Sequence, residues 1–148
     1  MVDISLAMPA IRTHNWLRLI ESIWNSCKKH TWEIIFAGPF YPPKELASMK
    51  NVGFVKTYAC PSTATQLAVA HSRGELLMCG LADDSIFLED RIDEEISHLG
   101  HDTQTIINMR YTEGKNHQGK PPPDSYWQPS SYPQFQTLAG IPQQGYLI

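Results

Sequence analysis

The chain has 148 residues, the length of a single domain. With 42% hydrophobic and 18% charged residues, it has the composition of a globular protein rather than a disordered one. The formal net charge of −3 argues against a broad electrostatic contact with nucleic acid or an anionic membrane, so a nucleic-acid partner is not expected.

Targeting signals and cysteines bear on the compartment. The N-terminus has no basic stretch before an apolar one, so no secretory signal is predicted. The longest uncharged apolar run of the first half, Leu76 to Ala82, is far shorter than the roughly 20 residues that span a bilayer. The three cysteines form no CxxC pair, and Cys27 and Cys79 lie in apolar patterns typical of reduced, buried thiols. We therefore expect a cytoplasmic protein without a transmembrane segment; peripheral association with the inner face of a membrane is the alternative.

Short apolar runs that end at proline or glycine predict strands in the first 111 residues. These predicted strands are Ile4–Met8, Glu33–Ala37, Val52–Tyr58, Leu76–Leu81 and Thr105–Tyr111. They are apolar on both faces and alternate with helical patterns. The sequence therefore predicts an α/β fold with a mostly parallel open sheet and helices on both of its faces.

Helices are predicted between these strands. The inner face of the first helix is expected to contain residues at helical spacing, namely Trp16, Leu17, Ile20, Ile23, Trp24 and Cys27. A helical turn is predicted over Lys44–Lys50. The next helix is expected to be capped by Ser62 or Thr63 and to bury Leu67, Ala68 and His71. A short acidic helix is predicted over Arg91–Leu99.

The sequence changes character after residue 111. Six of the eleven prolines fall in the last 37 residues, together with several aromatic side chains. This composition predicts a structured Pro- and aromatic-rich loop or extension over residues 112–148, packed on an α/β domain of residues 1–111.

Paired carboxylates mark the candidate site. In an open parallel sheet, ligands bind beyond the carboxyl ends of the strands, and among those ends only the fourth carries adjacent acids, Asp83 and Asp84. One carboxylate can bind a divalent metal while its neighbour accepts a hydrogen bond from a hydroxyl group, and oxygen ligands favour Mg²⁺ or Mn²⁺. The alternative is that the pair only caps the next turn. Arg12, after the first strand, is expected either to meet a phosphate or to face water.

Other motifs are absent or discounted. The first strand is not followed by GxGxxG, Pro121 excludes a P-loop at Gly119-Lys120, and no serine or cysteine lies in a nucleophile elbow. His98 and His101 have the spacing of metal ligands, but their position at a helix end beside Gly100 favours a role in the helix terminus and turn.

Several segments, taken in order, resemble the inverting GT-A glycosyltransferases of family 2. The segments that carry the resemblance are Ile4–Pro9, Trp16–Trp24, Glu33–Ile35, Gly74–Leu77, Leu81–Asp84 and Phe87–Ile92. The resemblance covers roughly residues 3–111 and implies the nucleotide-binding, Rossmann-like half of a GT-A fold.

The resemblance implies a site for a nucleotide-diphosphate sugar. The residues it assigns to nucleotide-sugar binding are Pro9, Ala10, Ile11, Arg12, Gly38, Ala82 and Asp83, and it assigns the divalent metal, Mn²⁺ or Mg²⁺, to Asp83 and Asp84. Transfer of the sugar to a hydroxyl of a glycan, lipid or protein acceptor would then proceed with inversion. No catalytic base is identified.

Two further interpretations stay open at this point. Gly38 stands where the family usually places an acidic residue, and residues 112–148 hold no match to the family's base; both favour a non-catalytic binding or assembly module that retains the half-fold. A flavodoxin-like or receiver-like domain fits less well, since Pro9 stands where receiver domains carry acids.

Overall fold

The computed structural model describes residues 1–98, 107–108 and 146–147. Its strands are β1 (Ile4–Pro9), β2 (Trp32–Gly38), β3 (Val52–Lys56), β4 (Leu76–Cys79), β5 (Ile107–Asn108) and β6 (Tyr146–Leu147). Its helices are α1 (Thr13–Ser26), α2 (Lys44–Ala47), α3 (Pro61–Ala70) and α4 (Arg91–His98). The predicted α/β class is therefore confirmed.

The sheet has the strand order β3-β2-β1-β4-β6-β5. The first four strands in this order are parallel, with Leu6 of β1 paired to Ile34 of β2 and to Met78 of β4. Strand β6 is antiparallel to both of its neighbours. Because β2 and β3 lie on one side of β1 and β4 lies on the other, the strand order reverses between β1 and β4.

Both faces of the sheet are covered. Ile4, Leu6 and Met8 point to a core shared with α1, α2 and α4, whereas Ala7 points to a smaller core against α3. This alternation follows the two-residue period of a strand, and it requires apolar residues on both faces of the central strands. The helices on both faces that the sequence predicts are confirmed. Assignment of the sheet to the GT-A or Rossmann-like type, and the division at residue 111, stay predictions.

The predicted inner face of α1 is partly wrong. Trp16, Ile20 and Ile23 are buried, but Leu17 and Trp24 are 44% and 54% exposed. The buried stripe continues through Leu19, Ser22 and Ser26 instead. The buried stripe of α1 is therefore shifted by about one residue from the predicted stripe. It includes the serine side chains Ser22 and Ser26, which a search for apolar residues does not indicate.

Two other predicted boundaries are corrected. Helix α3 begins at Pro61 with Cys60 as its N-cap, because proline suits the first helical position, and His71 is exposed rather than buried. Strand β4 ends at Cys79 because Gly80 has a φ of 78°, in the left-handed region that glycine adopts readily.

Segment 83–93 lies along the length of α1. Ser22 Oγ accepts a hydrogen bond from the backbone N–H of Phe87 at 3.1 Å. Near the end of the helix, Asn25 O accepts from the N–H of Asp90 at 3.1 Å and Ser26 Oγ accepts from the N–H of Ile92 at 2.9 Å. The buried hydroxyl groups of Ser22 and Ser26 in α1 thus supply hydrogen-bond acceptors for the backbone of this segment.

The described part of the chain contains no helix with both the length and the hydrophobicity to cross a bilayer. All three cysteines are free thiols; Cys27 is buried, Cys79 is half-buried and Cys60 is exposed. Burial raises the pKa of the Cys27 thiol to about 12.

Candidate functional site

Three chain segments meet at the carboxyl edge of the sheet, beside the reversal between β1 and β4. The loop after β1 lies against the end of β2, since the N–H of Ala10 donates to Ala37 O at 2.9 Å. The same loop contacts the segment after β4 through Ile11 and Arg12, which donate to Asp83. The structure therefore brings the predicted residues of the β1 loop together with those that follow β2 and β4.

Asp83 is the centre of this arrangement. Its side chain is 1% exposed, and its Oδ2 accepts hydrogen bonds from the backbone N–H groups of Ile11, at 2.7 Å, and Arg12. Oδ2 also accepts from the indole Nε1 of Trp16 at 3.0 Å, and Oδ1 accepts from Arg12 Nε at 2.8 Å. Both carboxylate oxygens are thus held by groups at the start of α1.

The ionised form of Asp83 is favoured by these contacts. Burial by itself raises the pKa of this carboxyl group, but the hydrogen bonds from Arg12, Trp16 and Ile11 outweigh burial and hold the pKa below its ordinary value. The carboxylate also accepts from the backbone N–H of Arg12, the N-cap residue of α1, whose own side chain makes no capping bond. Asp83 therefore fixes the conformation of the β1 loop.

Asp84 faces the other way. Its side chain is 52% exposed, and its Oδ1 lies 3.3 Å from Nη2 of Arg12. The same guanidinium lies 2.8 Å from Oδ1 of Asp83 and is 41% exposed. Arg12 therefore pairs with both carboxylates, a contact that the sequence does not predict, while its meeting a phosphate stays a prediction.

Gly38 closes the site from the β2 side. A Cβ atom at this position would lie 1.8 Å from the carbonyl oxygen of Ala10, which is far closer than any real contact. Only glycine fits while the β1 loop keeps its path. Pro9, the last residue of β1, pairs with Ala37 in the sheet register. Ala82 is exposed, at the start of the turn in which its oxygen accepts from the N–H of Ser85.

No protein-family model matches this chain, and no curated protein is significantly similar to it. The geometry of the site therefore carries the functional argument.

Sequence reasoning missed two features of this edge. Trp16 is predicted only as a core residue, yet its ring stacks on Phe36 with centroids 4.3 Å apart while its Nε1 holds Asp83. A second feature is the pair of exposed tyrosines after β2 and β3, with Lys56 Nζ 4.2 Å from the ring centroid of Tyr41 and 5.7 Å from that of Tyr58. Tyr41 and Tyr58 follow the carboxyl ends of β2 and β3, which are Gly38 and Lys56. This position in the sequence is the signal that could have indicated the two tyrosines.

The arrangement offers one exposed carboxylate, one buried carboxylate and one half-exposed guanidinium within a single cluster. Asp84 has an oxygen that faces solvent and suits a hard divalent cation. Arg12 has a planar fork of donors that suits a phosphate, and only part of that fork is used by Asp83 and Asp84. The residues present thus fit a cation together with a phosphorylated ligand.

Proposed function

We propose that this edge of the sheet binds a nucleotide-diphosphate sugar together with Mn²⁺ or Mg²⁺, and that the chain is the donor-binding part of an inverting glycosyltransferase. The observation that carries the proposal is the placement of Asp84, an exposed carboxylate next to Arg12, beside the point where the strand order reverses. Ligands of open α/β sheets bind in this place. The resemblance of residues 3–111 to the family supports the choice of ligand.

The proposal gives the two carboxylates different tasks. Asp84 would hold the cation, because its side chain reaches solvent. Asp83 is assigned by the resemblance to the ribose or the metal, and its present contacts add a positioning role, since it fixes the backbone of Ile11 and Arg12. When bound, the cation supplies Lewis-acid stabilisation of the charge that develops on the leaving nucleotide diphosphate.

Charge balance supports the role of Arg12. The two carboxylates carry two negative charges against one guanidinium, so the cluster attracts a divalent cation. A cation on Asp84 would take the place of the 3.3 Å contact with Arg12 and leave that part of the guanidinium free for a phosphate oxygen. Arg12 would then bind and orient the diphosphate.

A second candidate, a non-catalytic binding or assembly module, is favoured by Gly38. The position where the family usually carries an acid has no space for any side chain, since its Cβ would meet Ala10 O at 1.8 Å. Recognition of the base or ribose through an acid after β2 is therefore not available to this chain in the conformation described.

Titration calorimetry with UDP and with GDP tests the proposed site. We expect Mn²⁺-dependent binding of at least one of them in the micromolar-to-millimolar range, lost on chelation. Asp84→Asn should weaken it about tenfold or more, which corresponds to roughly 1.4 kcal/mol. Asp90→Asn is the matched control, because Asp90 is 63% exposed and also pairs with a basic side chain, that of Lys28, but lies away from the carboxyl edge of the sheet. Binding of neither nucleotide, or equal binding by both variants, would refute the site.

Turnover separates the enzyme from the module. The purified chain is incubated with Mn²⁺ and a UDP- or GDP-sugar whose nucleotide binds, and release of the nucleoside diphosphate is measured by chromatography. Metal-dependent release that falls in Asp84→Asn supports the transferase. Metal-dependent binding without any release, even with added acceptor glycans, supports the module.

A further inference from the structure

A second group of metal-ligand side chains lies at the other end of α1. Cys27 follows the last residue of the helix, His30 lies in the loop before β2, and Asp93 lies in the first turn of α4. One sulfur, one ring nitrogen and one carboxylate oxygen from these residues all lie within 4.8 Å of one another. Because α1 has 14 residues, this group is about 20 Å from Asp83 and Asp84.

The carboxylate of Asp93 is already held in place. Its Oδ2 accepts hydrogen bonds from the backbone N–H groups of Lys28, at 2.8 Å, and Lys29, at 3.1 Å. Its Oδ1 lies 2.9 Å from Nδ1 of His30. The N–H of Lys29 also lies within hydrogen-bond distance of Oδ1, at 3.3 Å. Backbone donors to a carboxylate ligand are the outer contacts that orient such ligands in metal sites.

Access to the group is from one side. The side chain of Asp93 is 3% exposed and Cys27 is 4% exposed, whereas the side chain of His30 is 31% exposed. A cation that enters beside His30 would meet three protein ligands and keep the outward position for water. Three protein ligands and one open position make four-coordination, the usual number for Zn²⁺.

We propose that Cys27, His30 and Asp93 form a Zn²⁺ site that joins the end of α1 and the loop before β2 to α4. The donor set of one sulfur, one nitrogen and one oxygen selects Zn²⁺ over Mg²⁺ or Mn²⁺, since thiolate is a soft ligand. The site is thus chemically distinct from the one proposed at Asp84, and it does not depend on the function proposed there.

Binding exchanges protons for metal bonds. The Cys27 thiol loses its proton to solvent as the Zn–S bond forms. The proton that lies between His30 Nδ1 and Asp93 leaves to solvent, and the ring, with a proton on Nε2, binds through Nδ1. The Zn–N and Zn–O bonds then replace the present contact between His30 and Asp93. No oxidant or reductant is needed. Zinc would thereby link two segments of the chain, since His30 and Asp93 are 63 positions apart in the sequence.

Cobalt is the spectroscopic probe for the site. The full-length chain is treated with chelator, and Co²⁺ is added under reducing conditions. We expect one equivalent of Co²⁺ to give a thiolate-to-cobalt charge-transfer absorption and the visible bands of tetrahedral cobalt, and Zn²⁺ to displace both. Absence of a charge-transfer absorption, or absorption that Mn²⁺ removes as well as Zn²⁺, would overturn the proposal.

Three variants locate the metal. Cys27→Ser should abolish the charge-transfer absorption. His30→Gln removes a ligand, so it should weaken Zn²⁺ binding at least as much as the about 10–100-fold loss found when only an outer contact of a metal site is removed. His30→Gln changes a partly exposed side chain, so it keeps the test valid if Cys27→Ser does not fold. Cys60→Ser, which alters an exposed thiol, is the matched control and should behave as the parent chain. Loss of the absorption in Cys60→Ser, or its persistence in His30→Gln with unchanged affinity, would refute the site.

Discussion

The most direct test of the carboxyl-edge geometry is Asp83→Asn compared with Asp84→Asn. In Asp83→Asn, the remaining oxygen can still accept from Ile11, Arg12 and Trp16, as Oδ2 does now. The new amide group replaces Oδ1, which accepts from Nε and Nη2 of Arg12, and it presents N–H donors to a guanidinium that also has only donors. The expected result is a less stable fold in the Asp83 variant alone.

The magnitude follows from those contacts. A hydrogen bond to a charged group contributes about 1.5–3 kcal/mol to stability, and two are lost, but Arg12 is 41% exposed and regains water on its open side. The net loss expected for Asp83→Asn is therefore about 2–3 kcal/mol in the free energy of unfolding. Asp83→Ala also leaves the Trp16 indole and the backbone donors without an acceptor, so about 4 kcal/mol is expected. Asp84→Asn should stay within about 0.5 kcal/mol of the parent.

Urea unfolding followed by tryptophan fluorescence and circular dichroism measures these differences. The midpoint should fall in the Asp83 variants with the slope unchanged, since the surface exposed on unfolding is the same. Trp16→Phe keeps the stack on Phe36 but removes the indole donor, and about 1 kcal/mol is expected from that change alone. If Asp83→Asn is no less stable than Asp84→Asn, Asp83 does not hold the β1 loop and the geometry of the site is wrong.

Two further predictions concern the same sheet. Gly38→Ala should lower the free energy of unfolding by about 3 kcal/mol or more, because the added Cβ would lie 1.8 Å from the backbone oxygen of Ala10. In the control Gly53→Ala, the added Cβ would lie 2.6 Å from the end of a flexible side chain, so a loss of about 1 kcal/mol is expected. Equal urea midpoints in the two variants would contradict the steric argument. Burial raises the pKa of Glu33, but hydrogen bonds from Ser5 and Arg73 outweigh it and lower the pKa below its ordinary 4.5. The contribution of ionised Glu33 to stability is therefore complete above pH 4.5 and disappears as the pH falls through the lowered pKa. Between about pH 7 and about pH 3, the urea midpoint of Arg73→Gln should fall less than that of the parent chain. An identical pH dependence in both chains would refute the role of Arg73 in lowering this pKa.

The sequence predicts the sheet well because its central strands are unusually clear. Strands β1 and β2 are almost entirely buried, so their apolar runs are interrupted only by Ser5 and Glu33. Pro9 and Gly38 mark where these strands end. The first helix is predicted in place, but the exposure of Trp24 is not. Trp24 packs edge-on against Trp32 at a centroid distance of 6.4 Å at the rim of the core, and an apolar pattern does not separate the rim from the interior.

The candidate site was predicted only as a set of residues. The apolar strand followed by two acids indicates Asp83 and Asp84, but it does not show that one is buried and the other exposed. That difference depends on Arg12 and Trp16, which reach Asp83 only because β1 and β4 are neighbours in the sheet. Strand order is a tertiary property, so the pairing could not be read from spacing.

The group at the other end of α1 illustrates the same limit. Cys27 and His30 are three residues apart, a spacing visible in the sequence, but two ligands do not define a site. The third, Asp93, lies in the predicted acidic helix, where nothing in the sequence marks it as buried, yet the structure shows it buried. Its burial depends on the backbone N–H groups of Lys28 and Lys29, which no residue pattern reveals.

The course of segment 83–93 along α1 has a consequence for the order in which the chain acquires its structure. The bonds from α1 and its flanking loops to this segment join residues that are 61 to 72 positions apart. On a ribosome, the start, middle and end of α1 would therefore be synthesised long before their partners emerge. Until Asp83 is available, the N–H group of Ile11 must be hydrated, and until Asp93 is available, so must those of Lys28 and Lys29. The contacts between α1 and this segment are therefore formed late and over a long separation in sequence. Contacts of this kind slow folding, because the entropy of loop closure is lost before the contacts stabilise the fold.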